Sequence, residues 1–282
     1  MAVTSQELRP GADLGGTLTA RQSWSRLPAW LRRVIILAVA VAVWELYVKA
    51  AHVSHLVFAS PYAVARSFVS GWLDGQIAGA TGVTLEALAI GMAIGIGSAI
   101  VFTVLATWTT VGQDALMMFT SMLNPLPSIA ILPLAIIWFG LNEKALVFVV
   151  ANAVVWPIAI NVTTGFRTVN TTLLMVGKNL GLRGWRLVRD VLLPAALPYI
   201  ISGVKVAWAF AWRTIIASEL VFGTAGGSGG LGYFINKSQY FLNIPDVFAG
   251  LVTIAVIGII VEVGFNMLER RTVIRWGMQA TS

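Results

Sequence analysis

Six side chains with chemical potential sit inside long apolar runs: Glu45, Glu86, Lys205, Arg213, Glu219 and Glu262. An ionisable group at membrane depth is costly and rare, and it is usually paired or part of a pathway. Lys205, Arg213 and Glu219 share one run. Arg213 and Glu219 are six residues apart, so they miss the i,i+4 spacing of a helical ion pair. Lys205 and Arg213 are eight apart, within about 80° of each other around a helix. Two cations roughly on one side could attract an anion. The alternatives are snorkelling to the interface or pairing with Glu86 or Glu262. Glu219 lies near the outer end of its run, where partial solvation is expected.

No catalytic constellation joins these charges. Cysteine is absent, and His52 and His55 are the two histidines, so a disulfide framework, a Cys-based metal site and a three-His site are all ruled out. No G-x-x-x-x-G-K-[ST] loop occurs, so ATP hydrolysis by this chain alone is not expected. Gly227-Ser228-Gly229-Gly230-Leu231-Gly232 satisfies G-x-G-x-x-G. A dinucleotide site needs that motif after a strand and before a helix; here it follows an apolar run, and a flexible outer loop is expected instead. Asn161 and Asn170 match the glycosylation pattern but fall near the inner side of the expected topology.

The elements that must hold these residues are membrane spans. The chain is 57% hydrophobic and 11% charged, far below the ~25% charged residues of soluble domains. A span needs about 20 mostly apolar residues, and six stretches qualify: 34–51, 83–106, 115–139, 145–166, 195–222 and 247–268. The expectation is an all-α, polytopic membrane protein with about six transmembrane helices. The net charge of +7 is spread beside the apolar runs, a pattern of membrane orientation and not of nucleic-acid binding. With the N-terminus inside, the inner segments hold Arg9, Arg21, Arg26, Arg32, Arg33, Arg167, Lys178, Arg183, Arg186, Arg189, Arg270, Arg271 and Arg275. The outer segments hold only Lys49, Arg66, Lys144 and Lys237. Both termini are therefore expected in the cytoplasm. Residues 1–30 are expected to form a cytoplasmic tail, 31–276 the membrane domain and 277–282 a C-terminal tail.

Three stretches stand out within that frame. In 60–74, Pro61 begins a helical pattern with Val64, Phe68, Trp72 and Leu73 at helical spacing, either an amphipathic outer-face helix or an ordinary packed one. Gly91 and Gly95 are four apart, which permits close helix approach, at a dimer seam or within one subunit. Asn124-Pro125-Leu126-Pro127 interrupts the third run and should kink or break it. Broken backbone at membrane depth is tolerated where it is buried or lines a cavity. Asn124, Pro125, Pro127, Lys205, Arg213 and Glu219 are therefore the candidate pathway residues, a kinked packing helix being the alternative.

The longest basic island runs from Met175 to Tyr199 and contains Lys178, Arg183, Arg186, Arg189 and Asp190. A short helical pattern turns at Gly181, then runs basic and amphipathic to Leu192-Leu193-Pro194. Such a segment between spans is a plausible docking element for another protein.

This stretch resembles the cytoplasmic loop of ABC importer permeases, E-A-A-x-x-L-G followed by a basic helix and Leu-Pro. The counterpart is Met175-Val176-Gly177-Lys178-Asn179-Leu180-Gly181, then Trp185 to Pro194, with Met-Val-Gly standing in place of Glu-Ala-Ala. Ser60-Pro61, Ile137-Trp138-Phe139-Gly140, Ala217-Ser218-Glu219-Leu220 and Gly230-Leu231-Gly232-Tyr233 are similar to pieces of the nitrate/sulfonate/taurine branch. The resemblance spans roughly 31–276. Glu86 departs from it, because relatives commonly place a basic residue there.

The resemblance implies a homodimer of permeases in the bacterial inner membrane, with two cytoplasmic ATP-binding subunits and an extracytoplasmic substrate-binding protein. No cofactor is expected on this chain; ATP and Mg²⁺ would belong to the partner ATPase. The coupling loop, about 167–194, would engage that ATPase through Met175, Val176, Gly177, Leu180, Gly181, Arg183, Trp185 and Arg186. Arg and Trp are residue types favoured as interface anchors, although the arginines also serve topology. The implied cargo is a small anionic solute: a sulfonate, taurine, nitrate or carboxylate. An ion-coupled secondary transporter acting without an ATPase is the rival reading. It would not need the coupling loop, and no inverted repeat of the kind such carriers often show is visible.

Overall fold

The computed structural model describes residues 27–52, 54, 56–222 and 229–269, and among them all regular structure is helical. The expected tails therefore lie largely outside the described residues, as do His55, Arg270, Arg271 and Arg275. The chain divides into two units, Met1–Tyr62 and Ala63–Ser282.

The first unit holds α1 (Ala29–Ala50). Its apolar side chains, Val34, Leu37 and Val43 among them, are mostly exposed. Glu45, read above as an intramembrane charge, pairs with Lys49 one turn on at 3.0 Å.

The second unit takes in all but the first two residues of α2 (Pro61–Leu73), then α3 (Gln76–Ala106), α4 (Thr110–Leu123), a 3-10 turn at Ser128–Ile131, α5 (Leu132–Phe139) and α6 (Glu143–Arg167). The chain continues through α7 (Thr171–Asn179), α8 (Trp185–Leu187), a π turn at Val188–Leu192 and α9 (Leu193–Ala195). It ends with α10 (Leu197–Phe222), α11 (Leu231–Tyr240) and α12 (Ile244–Glu269). Helix α2 begins at Pro61, the first residue its fixed φ favours, and turns Val64 and Phe68 toward the core. Ser67 donates to Asp246 on α12, while Trp72 and Leu73 on the same helix stay exposed.

Helix α6 is the axle. Val149, Val150, Val154, Ile158 and Val162 are each 0% exposed, and a helix apolar all round is a buried one. Its entry is fixed by Asn142, whose side chain accepts from the Lys144 amide at 2.9 Å. Gly91 and Gly95 of α3 lie against it: a Cβ at Gly91 would meet Val150 at 2.6 Å, and one at Gly95 would meet Val154 at 2.6 Å. The small pair therefore serves packing within the subunit. Helices α3 and α10 both pack on α6 and also touch each other around the main apolar core; Val149 belongs to a smaller cluster with Leu132, Ala135, Ala145 and Phe222.

Among the described residues, four helices are long and apolar enough to cross a membrane: α3, α6, α10 and α12. The third expected span does not form one helix. It breaks after Leu123, and the two halves, α4 and the Ser128–Phe139 segment, are bent by 93°. Counted as one span, the bent pair makes five. The first expected span, α1, carries Arg32, Arg33, Glu45 and Lys49 within 22 residues, too charged to qualify on composition. The physical reason for the break is local. Pro125 and Pro127 lack the backbone donors that would serve carbonyls four residues earlier, so the ladder stops here although Asn124 itself keeps helical dihedrals.

Candidate translocation and docking surfaces

The break opens a pocket of about 370 Å³ between three elements. Asn124, Pro125 and Pro127 line it from the bend, Trp156 and Pro157 from α6, and Phe210, Arg213 and Thr214 from α10. Sequence and structure thus agree in bringing Asn124, Pro125, Pro127 and Arg213 together. Arg213 is exposed into this space and, among the described residues, has no ion-pair or hydrogen-bond partner. An unpaired guanidinium offers five donors and no acceptor. Trp156 turns its indole N–H to Asn152 at 3.2 Å, which leaves its ring as wall.

Lys205 and Glu219 are not in that pocket. Lys205 is held at the other end of α10, donating to Asn266 at 2.7 Å and pairing with Glu269 at 3.4 Å on α12. The expected partners Glu86 and Glu262 are not involved. Eight residues of helix place Lys205 about 12 Å along the axis from Arg213, so similar angular phase does not make one site.

Glu219 corrects the expectation of partial solvation: it is 3% exposed. Thr84, itself 0% exposed, donates its hydroxyl to the two carboxyl oxygens at 2.8 and 3.0 Å. The same hydroxyl oxygen accepts from the Leu231 amide at 2.8 Å, and the Gly232 amide donates to Glu219 at 2.8 Å. Leu231 and Gly232 are the first two residues of α11, and Gly230 before them offers no capping side chain. The donors that every helix start leaves orphaned are therefore satisfied from α3 and α10. The same contacts correct the flexible-loop expectation at Gly230 and Gly232. A Cβ at Gly230 would fall 2.1 Å from a Glu219 oxygen, and one at Gly232 would fall 2.6 Å from the Ile216 carbonyl. Gly227 and Ser228 lie outside the described residues. Sequence reasoning missed Thr84. The available signal was a Gly-Leu-Gly helix start with no local cap and a buried acid with no local donor.

The basic island folds as a helix-turn-helix. Asn170 caps α7, accepting from the Thr172 amide at 2.8 Å. The helix ends in paired reverse bonds, Leu182 N–H to the Gly177 carbonyl and Gly181 N–H to the Lys178 carbonyl, both 3.0 Å. That closure requires a left-handed residue, and Gly181 supplies it at φ +80°. Gly177 faces inward, buried, where a Cβ would sit 3.1 Å from both Leu187 and Val191. Met175, Val176, Leu180 and Trp185 face outward, each at least 50% exposed. Arg183 and Arg186 are also exposed and lack an ion-pair partner among the described residues. Asp190 is engaged by its neighbour Arg189 at 2.7 Å, whose hydrogen bond holds that carboxyl below its usual range. The result is a short, well-terminated hairpin that exposes four large apolar side chains and two unpaired arginines.

Comparison with known proteins gives these surfaces a context. The model of the family described as "Binding-protein-dependent transport system inner membrane component" matches residues 91–274. An aliphatic sulfonates transport permease protein of Bacillus subtilis (strain 168) is 29% identical over 88% of this chain and 88% of its own length. Its namesake in Escherichia coli (strain K12) is 31% identical over 84% of this chain and 88% of its own. Among solved structures, an inward-facing form of the MetNI methionine ABC transporter is similar, with TM-score 0.52 and 18% identity. That match covers 67% of this chain and 91% of the other, a likeness of fold.

Proposed function

The chain belongs to the family of binding-protein-dependent transport system inner membrane components, and on that premise we propose that it forms the membrane path of an ATP-driven importer for a small anionic solute. The family is that of ABC importer permeases, in the branch that includes the sulfonate, taurine and bicarbonate relatives. In our reading two copies pair in the inner membrane. Helix α1 adds the sixth span, and both termini face the cytoplasm with the α7–α8 hairpin.

The observation that carries the cargo assignment is Arg213: an unpaired cation facing a pocket at the only sharp break among the described membrane-length segments. The pocket supplies one cation, the Asn124 amide, the Ser128 and Thr214 side chains and apolar walls, which suits a solute with a single anionic group: a sulfonate, taurine through its sulfonate, nitrate or a carboxylate. Coupling is assigned to Met175, Val176, Leu180, Arg183, Trp185 and Arg186, with Gly177 and Gly181 shaping the hairpin that presents them. ATP and Mg²⁺ reside in the partner. ATPase closure pushing on the hairpin would be transmitted through the π turn and α9, which run directly into α10 and so to Arg213.

Uptake in proteoliposomes, with the cognate ATPases and binding protein, tests both halves. Gly181→Arg should abolish uptake while ATP hydrolysis persists and the chain still inserts; normal uptake would sink the docking assignment. Arg213→Ala should slow uptake of the anion without weakening ATPase binding; unchanged kinetics would remove Arg213 from the path.

A further inference from the structure

A second pocket, of about 510 Å³, lies against the first. The two share Asn124 and Pro125 as a common wall. The first meets α6 at Ala153, Trp156 and Pro157, and the second meets it at Ile160, Thr163, Thr164 and Arg167. At 1.5 Å of rise per residue their centres lie about 12 Å apart along that helix. Arg167, the last residue of α6, is exposed. Like Arg213, it has no ion-pair or hydrogen-bond partner among the described residues. No carboxylate lines either pocket among the described residues.

We propose that the pocket at Arg167 is an inner anion station, filled from the Arg213 pocket across the Asn124–Pro125 partition. It deepens the path reading above and rests on it. The hydroxyls of Thr120, Ser121 and Thr164 are already spent, donating to carbonyls of their own helices at 2.8 Å each. The groups left to donate to a guest are Arg167, the Thr163 hydroxyl and the Asn124 amide, and the latter two have no other partner among the described residues. Asn124, belonging to both pockets, can keep contact with an anion as it passes. One cation at each station, with no second charge, makes each site weak, and conduction requires sites that release as readily as they bind. An arginine at a span end also serves orientation. Orientation alone needs no cavity, and this one is shared with the path.

The absence of native cysteine makes the station directly measurable. Thr163→Cys places a thiol in the inner pocket and Thr214→Cys places one in the outer. In the permease assembled with its ATPase partners in nanodiscs, each thiol is modified with anionic sulfonatoethyl methanethiosulfonate and with its cationic trimethylammonium analogue. Both rates are normalised to neutral methyl methanethiosulfonate. A pocket with one sign of charge concentrates the matching ion about tenfold or more, so the anionic reagent should win by that factor at both positions. Arg167→Gln should erase the preference at Thr163→Cys and spare it at Thr214→Cys; Arg213→Gln should do the reverse. Methanesulfonate should slow anionic modification of Thr163→Cys with Arg167 intact, a reading that needs no arginine variant to fold. No preference at Thr163→Cys, or one that ignores both Arg167→Gln and methanesulfonate, overturns the inner station. If the Thr214→Cys preference survives, the path reading stands without it; loss at both positions takes the path reading down as well.

Discussion

Arg213 and Glu219 sit six residues apart on α10 and have opposite fates. Glu219 is buried with donors from two directions. Arg213 faces a pocket with no partner among the described residues. Both would be flagged as intramembrane charges, but only one is unsatisfied. A buried polar group that is fully hydrogen-bonded stabilises and specifies an arrangement; here it fixes the start of α11 against α3 and α10. A charge left open toward a cavity adds nothing to packing. Position in a membrane span gives the two residues the same reading, whereas their hydrogen bonds tell them apart.

The largest predicted effect is on the satisfied side. Glu219→Ala leaves the Gly232 amide and the Thr84 hydroxyl without their acceptor, at about 1–3 kcal/mol for each buried group left unpaired. A clear fall in melting temperature and yield in detergent is expected, while Arg213→Ala should melt like the parent. Equal stability of the two variants would break the contrast. Next is Gly232→Ala, whose Cβ would press on the Ile216 carbonyl; overpacking of this kind costs about 1–3 kcal/mol, again read as melting temperature. Arg213→Ala should lower uptake of an anionic solute by about tenfold or more, the worth of one charge-assisted hydrogen bond of about 1.5–3 kcal/mol. Arg213→Lys should recover part of it. The smallest effect belongs to Lys205→Ala. Its pair with Glu269 is partly exposed, and such pairs contribute about 0–1 kcal/mol, so uptake and stability should both stay near the parent's. A tenfold loss of uptake there would return Lys205 to the path.

The helices were legible where a single physical signal dominated. Apolar length located α3, α6, α10 and α12, and the two prolines located the break. The hairpin was legible too, because Gly181 and the basic run are local features. What sequence periodicity could not show was partnership across helices. Lys205 and Arg213 share angular phase, yet their axial separation and the proximity of Glu269 divide them. Glu219 read as semi-exposed because its donors come from Thr84, 135 residues earlier, and from a helix start on the far side of a glycine stretch. The glycines read as loop because their crowding by Glu219 and Ile216 is tertiary. Residue spacing encodes what one helix does alone; these sites are made by three.

The central claim is that this chain moves solute only as part of an ATP-driven assembly. Its most direct test is gentle affinity purification from the native membrane, with partners identified by mass spectrometry. A Walker-motif ATPase should be recovered equimolar with the permease. A chain that purifies alone, and moves anionic solute into vesicles without ATP, would contradict it.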